Sequence, residues 1–233
     1  MEIFMEPRLH VNTFNENILK LIQSSIGSER FERKVPLKKG QSIYFRNDLI
    51  KKGFSNLHET RIITSIYFDT EDYLFARQNI NGENLRVKPR VRYYNTDYDN
   101  SVLEFKLKKN YNSYKKIINN SNLANQTKLN FFEELSCKLL GLKLLPSSIV
   151  TYRRQYYMYK DIRLTIDDNI YIKKFINRNF LNENLIQLNL EVIEFKYKKD
   201  LDIFFRKNFS YFFDCASRAN KCSKYIHSVI KTF

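Results

Sequence analysis

Between Leu85 and Tyr94 every second residue is a cation: Arg86, Lys88, Arg90 and Arg92 alternate with Leu85, Val87, Pro89, Val91 and Tyr93. Residues two apart share a face only on an extended chain. The stretch therefore predicts a strand with one cationic face and one apolar face. The pattern recurs in Val102–Lys108, where Glu104, Lys106 and Lys108 alternate with Leu103, Phe105 and Leu107. It recurs again in Arg163, Thr165 and Asp167 against Ile162, Leu164 and Ile166, and in Glu194 and Lys196 against Ile193, Phe195 and Tyr197. Near the start, Arg30, Glu32 and Lys34 alternate with Phe31, Arg33 and Val35. A solvated outer face explains any one such strand. Five of them, with cations outnumbering acids, call for more, because like charges facing each other across strands destabilise a sheet. A polyanion would neutralise such a face. In a small barrel the charged face can point inward while helices cover the apolar one.

The whole chain leans the same way. Its 233 residues carry 40 Lys plus Arg against 25 Asp plus Glu, a formal charge of +15. That favours an anionic partner: nucleic acid, anionic lipid, or a phosphorylated molecule or polymer. Part of the excess is a bias toward Lys, Asn, Ile and Tyr spread along the chain, so charge alone does not choose among them. With 43% hydrophobic residues the chain can bury a core of its own.

Further elements follow from local signals. Thr13-Phe-Asn-Glu16 has capping-box spacing, and Ile18, Leu19, Ile22 and Ile26 continue it into a helix ending near Gly27. Arg30–Leu37 reads as a strand. Ser42 caps a short helix through Lys52, with Gly53 as terminator. Ile62–Asp69 reads as a strand, with Tyr73–Gln78 pairing nearby, and Asn81-Gly82 is a hairpin signal. Strands follow at Leu85–Tyr94, Val102–Lys108 and Tyr114–Ile118, the first two separated by a polar turn over Asn95–Asn100. Asn119–Asn130 is loop-like and Phe131–Leu140 helical. Strands resume at Ile149–Tyr159, Ile162–Asp167 and Leu188–Tyr197. Asp200 caps a helix over Leu201–Phe213, and Ser223–Thr232 is a last amphipathic segment. No repeat or linker divides the chain. The expectation is one α+β domain over residues 1–233, a closed antiparallel β-barrel of about eight strands with flanking helices.

Cys137, Cys215 and Cys222 have no paired spacing, which predicts free thiols in a reducing compartment. With no secretory leader in view and no apolar run of membrane-spanning length, a soluble, cytoplasmic protein is expected.

Eight segments occur in an order that resembles the catalytic, polyphosphate-polymerase domain of the vacuolar transporter chaperone complex and its stand-alone bacterial relatives, within the triphosphate tunnel metalloenzymes. They are Arg30-Phe-Glu-Arg-Lys34, Ser65-Ile-Tyr-Phe-Asp69-Thr70, Arg90-Val-Arg92-Tyr-Tyr94 and Leu103-Glu104-Phe-Lys106, then Tyr152-Arg-Arg154, Arg163-Leu-Thr-Ile-Asp167, Ile193-Glu194-Phe-Lys196 and Ser223-Lys224-Tyr225. The resemblance implies that Arg90, Arg92, Lys106, Arg154, Arg163, Lys196 and Lys224 project into a tunnel and grip phosphates, with Lys34 at the first basic strand position. It implies that Glu194 holds a divalent cation, Mn or Mg. Glu32 corresponds to part of the superfamily's glutamate-rich opening motif, but Arg30 stands where its hydrolases carry the first glutamate. That departure favours the polymerase-like branch.

The implied activity is transfer of the terminal phosphate of a nucleoside triphosphate onto polyphosphate. The protein needs no nucleophile for this, because phosphoryl transfer depends on positioning and charge neutralisation. Rival readings are a non-catalytic tunnel that senses polyphosphate or inositol phosphates with a partner, and a triphosphatase. An RNA-binding sheet fits least, since aromatics are not interleaved with the cations as stacking platforms. The implied partners are therefore nucleoside triphosphate and polyphosphate rather than nucleic acid, with a membrane-protein partner compatible with the family.

Other candidates read as structural. His10, His58 and His227 lack metal-ligand spacing. Phe204, Phe205, Phe209, Tyr211, Phe212 and Phe213 read as a helix buried on the sheet, and Tyr67, Phe68 and Asp69 as a strand ending in a polar turn. Lys38, Lys39, Lys51 and Lys52 read as solvated. No Walker loop, dinucleotide glycine fingerprint or Ser-His-acid set is present.

Overall fold

The computed structural model describes residues 6–28, 30–110, 112–119, 125–175, 185–214 and 222–232. Within them the chain is α+β, with antiparallel strand pairing throughout. Two compact units emerge: Met1–Ser28 with Ser65–Ser148, and Glu29–Thr64 with Ile149–Phe233. Two long strands, β3 (Ser55–Asp69) and β7 (Leu145–Tyr159), each lend one stretch to each unit.

In the first unit α1 (Glu6–Gln23) leads into β1 (Ile26–Ser28). After β3 come α3 (Leu74–Asn81), β4 (Leu85–Tyr94), β5 (Asp97–Lys109), β6 (Asn112–Asn119) and α4 (Asn125–Leu140). The strand order is β1-β6-β5-β4-β3. The apolar face of β4 and β5 buries Val87, Val91, Leu103, Phe105 and Leu107, and α1 and α4 lie against these strands. Those helices supply fully buried side chains, among them Ile18 from α1 and Phe132 and Leu140 from α4.

In the second unit β2 (Arg30–Leu37) and α2 (Ser42–Lys51) precede β3, and β8 (Ile162–Lys174), the short β9 (Ile186–Gln187) and β10 (Glu191–Lys198) follow β7. The order is β3-β7-β8-β10-β2, with β9 on β8. Helices α5 (Asp202–Phe209), α6 (Tyr211–Asp214) and α7 (Lys224–Thr232) close the chain. Val35, Leu164, Ile166, Ile193, Phe195 and Tyr197 form one core with Phe205, Phe209 and Phe212. The expected aromatic run is thus a helical cover for the apolar strand faces; the Phe213 side chain lies outside the described residues.

Several boundaries correct the sequence reading. Strand pairing ends openly on β1 in one unit and on β2 in the other, so it does not show the expected closed barrel. With only three residues, β1 leaves little backbone to extend the ladder. Tyr73–Gln78 is not a strand and Asn81-Gly82 is not a hairpin turn. Instead α3 forms because the buried Asp69 carboxylate accepts the backbone N–H groups of Phe75 and Ala76 at 2.9 and 3.0 Å, and of Thr70 at 2.8 Å. Gly82 then ends the helix at φ +75°, which glycine adopts without strain. Helix α1 begins seven residues before Thr13, so Thr13 sits inside the helix rather than at its N-terminus, and Ile26 belongs to a strand. Helix α2 is capped by Glu191, not Ser42: its carboxylate accepts the N–H groups of Gly40 at 2.9 Å and Ser42 at 2.8 Å. Asp200 falls in a short 3-10 turn, Lys199–Leu201, one step before α5.

Candidate phosphate-binding faces

Antiparallel register turns the sequence alternation into rows. Across β4, β5 and β6, Lys88 stands opposite Lys106, and Lys106 opposite Lys115. The next row pairs Arg86 with Lys108, and the row on the other side pairs Arg90 with Glu104. Arg86, Lys88, Arg90, Arg92, Lys106, Lys108 and Lys115 thus share one face with the carboxylate of Glu104. Cross-strand neighbours sit about 5 Å apart at Cβ, where like charges repel.

Glu104 organises the upper part of this face. Arg90 donates to its Oε2 through Nε at 2.9 Å and Nη2 at 2.7 Å. Arg92 approaches the same oxygen at 3.6 Å, and the Lys115 Nζ lies 2.5 Å from Oε1. Burial alone would raise the pKa of this carboxyl group, but Arg90, Arg92 and Lys115 outweigh it and hold the group well below the usual carboxylate range. Arg90 also reaches the Tyr67 hydroxyl, and Arg92 Nε donates to Ser65 Oγ at 3.1 Å. These contacts fix both guanidinium planes before any ligand arrives.

The second unit repeats the device with a different charge balance. On β8, β10 and β2, Thr165 is opposite Glu194, which is opposite Lys34; Arg163 is opposite Lys196, which is opposite Glu32. Asp167 lies on the same face and is fully buried. Arg154 grips it in a two-pronged bond, Nε to Oδ1 at 2.5 Å and Nη2 to Oδ2 at 2.7 Å, and Lys224 from α7 bonds Oδ2 at 2.5 Å. Tyr152 lies under both cations, its ring centre 5.2 Å from the Arg154 guanidinium and 4.6 Å from Lys224 Nζ. Burial would raise the Asp167 pKa, yet Arg154 and Lys224 bring it below the ordinary value.

Glu194 is held by Lys196 at 2.8 Å on Oε1 and by Lys34 at 3.9 Å on Oε2. Lys34 also lies 3.4 Å from Glu32. Burial works against the Lys34 charge, but Glu194, Glu32 and Cys222 overcome it and raise its affinity for a proton. Among the described residues no three His, Cys, Asp or Glu side chains form a metal nest. A magnesium-like ion needs only one or two carboxylates, because water and phosphate oxygens complete its shell. Glu194 and Glu32, which share one ammonium, fit that limited donor set.

The sequence-derived residues therefore fall into three groups. Arg90, Arg92 and Lys106 lie on one face of the first unit. Arg154 and Lys224 meet at Asp167, while Lys34 and Lys196 meet at Glu194, both in the second unit. Arg163 is exposed on that same strand face. Sequence reasoning did not assign Lys115, Asp167, Tyr67, Ser65 or Tyr152. Lys115 was legible from alternation with Tyr114 and Lys116 once the β5–β6 register was known. His58 packs edge-on against Tyr156, and His227 is partly buried, with burial first and then Lys231 and Lys224 lowering its proton affinity. Cys137 and Cys222 are free thiols, and Cys215 lies outside the described residues.

Comparison with known proteins agrees with this architecture. No curated protein matches the sequence. The chain is similar in structure to a proposed adenylate cyclase from Bacillus halodurans, at TM-score 0.53 and 14% identity, covering 83% of this chain and 96% of that one. It is also similar to a proposed adenylyl cyclase from Hippeastrum with a dominant triphosphatase activity, at TM-score 0.52 and 13% identity over 87% and 96% of the two chains. A proposed adenylate cyclase from Vibrio parahaemolyticus gives TM-score 0.50 and 12% identity over 85% and 98%. Such identities establish a shared fold. The VTC domain profile matches residues 5–233, nearly the whole sequence, and the chain belongs to the VTC domain family.

Proposed function

We propose that this chain is a metal-dependent, polyphosphate-polymerase-like enzyme that transfers the terminal phosphate of a nucleoside triphosphate onto a phosphate chain. The observation that carries the reading is the row Lys88–Lys106–Lys115, flanked by Arg86 opposite Lys108. A sheet gains nothing by stacking like charges, whereas a phosphate chain converts the same rows into charge-assisted bonds. Arg90 and Arg92, pre-set by Glu104, Tyr67 and Ser65, supply forked donors for phosphate oxygens. Lysines supply mobile charges that can follow a moving chain. Glu194, with Glu32, would hold the divalent cation, Mn or Mg. When bound, that ion neutralises charge developing on the phosphates. The attacking group is a terminal phosphate oxygen, so no side chain acts as nucleophile.

This reading also expects the sheet to close into a barrel with its charged faces inward. An experimental structure with Arg90, Arg92, Arg154 and Arg163 in bulk solvent would end that expectation. It further expects a cytoplasmic site of action; among the described residues no helix is long and apolar enough to cross a membrane.

A second reading, a binding tunnel without turnover, draws on the same Glu194: both of its oxygens face lysines, and among the described residues no cluster of three His, Cys, Asp or Glu backs it. A third, triphosphate hydrolysis, draws on the activity of the Hippeastrum protein. One assay separates the three. Purified protein with ATP and manganese or magnesium should yield long phosphate chains on a gel. Inorganic phosphate without chains would identify a triphosphatase, and tight triphosphate binding without product would identify the non-catalytic reading.

A further inference from the structure

Helix α2 wears its apolar residues on the wrong side for a surface helix. Phe45 and Leu49 face the core, Phe45 against Phe212 at 5.3 Å between ring centres. Yet Ile43, Tyr44 and Ile50 are 50%, 75% and 51% exposed. At 100° per residue Ile43 and Ile50 lie almost in line, with Asn47 between them and Tyr44 and Lys51 alongside. Exposed lysines stand at both ends, Lys38 and Lys39 before the helix and Lys51 and Lys52 at its close. The acids nearby are turned to other work: Glu191 caps the helix, and Asp48 accepts the Tyr211 hydroxyl.

We propose that this face of α2 docks the protein on an anionic lipid surface, with Ile43, Tyr44 and Ile50 entering the headgroup boundary and the lysines meeting acidic headgroups. Three considerations select that occupant. The apolar residues stand on a convex helix flanked by charge, which a fluid, planar surface accommodates. Tyrosine is suited to a boundary where its ring is buried and its hydroxyl stays wet. A second copy of the chain would bring the same four lysines face to face, which disfavours a symmetric pair. This inference is independent of the polyphosphate reading.

The test is co-sedimentation of the intact protein with vesicles of neutral phosphatidylcholine, with and without phosphatidylserine. Binding is expected only to the anionic vesicles. The pair Tyr44→Ser and Ile50→Ser, at exposed positions that leave melting unchanged, should reduce partitioning about tenfold or more. Lys38→Gln with Lys51→Gln should reduce it about fivefold per charge. Binding that survives both pairs, or that excess triphosphate abolishes, would assign the attraction to the cationic strand faces and overturn the proposal. Failure to bind either vesicle would overturn it as well, as would equal binding to both. Retention of the exposed apolar face by an acidic soluble protein, with no vesicle binding, would assign it to a protein partner instead.

Discussion

The two charged strand faces are built alike and balanced differently. Each carries alternating residues, a buried carboxylate and two or more cations gripping it. On β8, β10 and β2 the ledger is closer to even: Lys34, Lys196, Arg154, Lys224 and the exposed Arg163 stand with Glu32, Glu194 and Asp167. In the paired rows of β4, β5 and β6, among the described residues, the carboxylate of Glu104 stands with seven cations on its face. The even face can hold itself together without a ligand. The uneven face gains most from an anion, and this is why it is the better candidate for the primary grip on phosphate.

The largest effect should come from breaking the even face. Asp167→Asn leaves Arg154 and Lys224 buried without their counter-charge, at a cost of about 3–5 kcal/mol. Urea unfolding should show the loss, and added triphosphate should recover little of it. Glu104→Gln is expected to cost about 3 kcal/mol by the same argument. Here triphosphate should restore much of the stability, because the freed Arg90, Arg92 and Lys115 already face an anion-poor row. Equal rescue of both variants would erase the distinction between the faces.

Acid titration sharpens the comparison. Asp167 and Glu104 both bind protons less readily in the fold than in the unfolded chain. Their contributions are therefore complete above the ordinary carboxylate range near pH ~4 and drain away as pH falls below it. Lys34 shifts the opposite way, so its contribution persists through neutral pH and is lost only at strongly alkaline pH, beyond the ordinary lysine range. Melting temperature against pH should fall steeply below pH ~4, and Glu104→Gln should flatten part of that slope.

Much of this was legible in the sequence, and the failures have causes. Strand β4 is bounded as the alternation predicts, and the helices that cover Phe195 and Tyr197 are where the aromatic run placed them. Alternation is a local property and survives without tertiary information. Helix α3 was missed because its cap, Asp69, acts from the preceding strand, while Asn81-Gly82 carries a hairpin signal that a helix terminus also uses. Glu191 was missed for a similar reason: it caps α2 from about 150 positions away in sequence. The partners of Glu104 and Asp167 depend on register, which sets who stands opposite whom and cannot be read from one strand.

A smaller effect concerns the metal position. Glu194→Gln should nearly abolish metal-dependent turnover while leaving triphosphate binding intact, since it removes a carboxylate and no cation. A variant that melts normally and keeps near-normal metal-dependent turnover would remove Glu194 from that role.

The most direct measurement is calorimetric titration of triphosphate into the wild-type protein and Lys106→Ala at physiological salt, with the melting of both recorded without ligand. Lys106 is the middle cation of the row, between Lys88 and Lys115. If the row exists for phosphate, the variant should bind triphosphate about tenfold more weakly than the wild type. A Lys106→Ala protein that binds triphosphate as tightly as the wild type would contradict the assignment of this face.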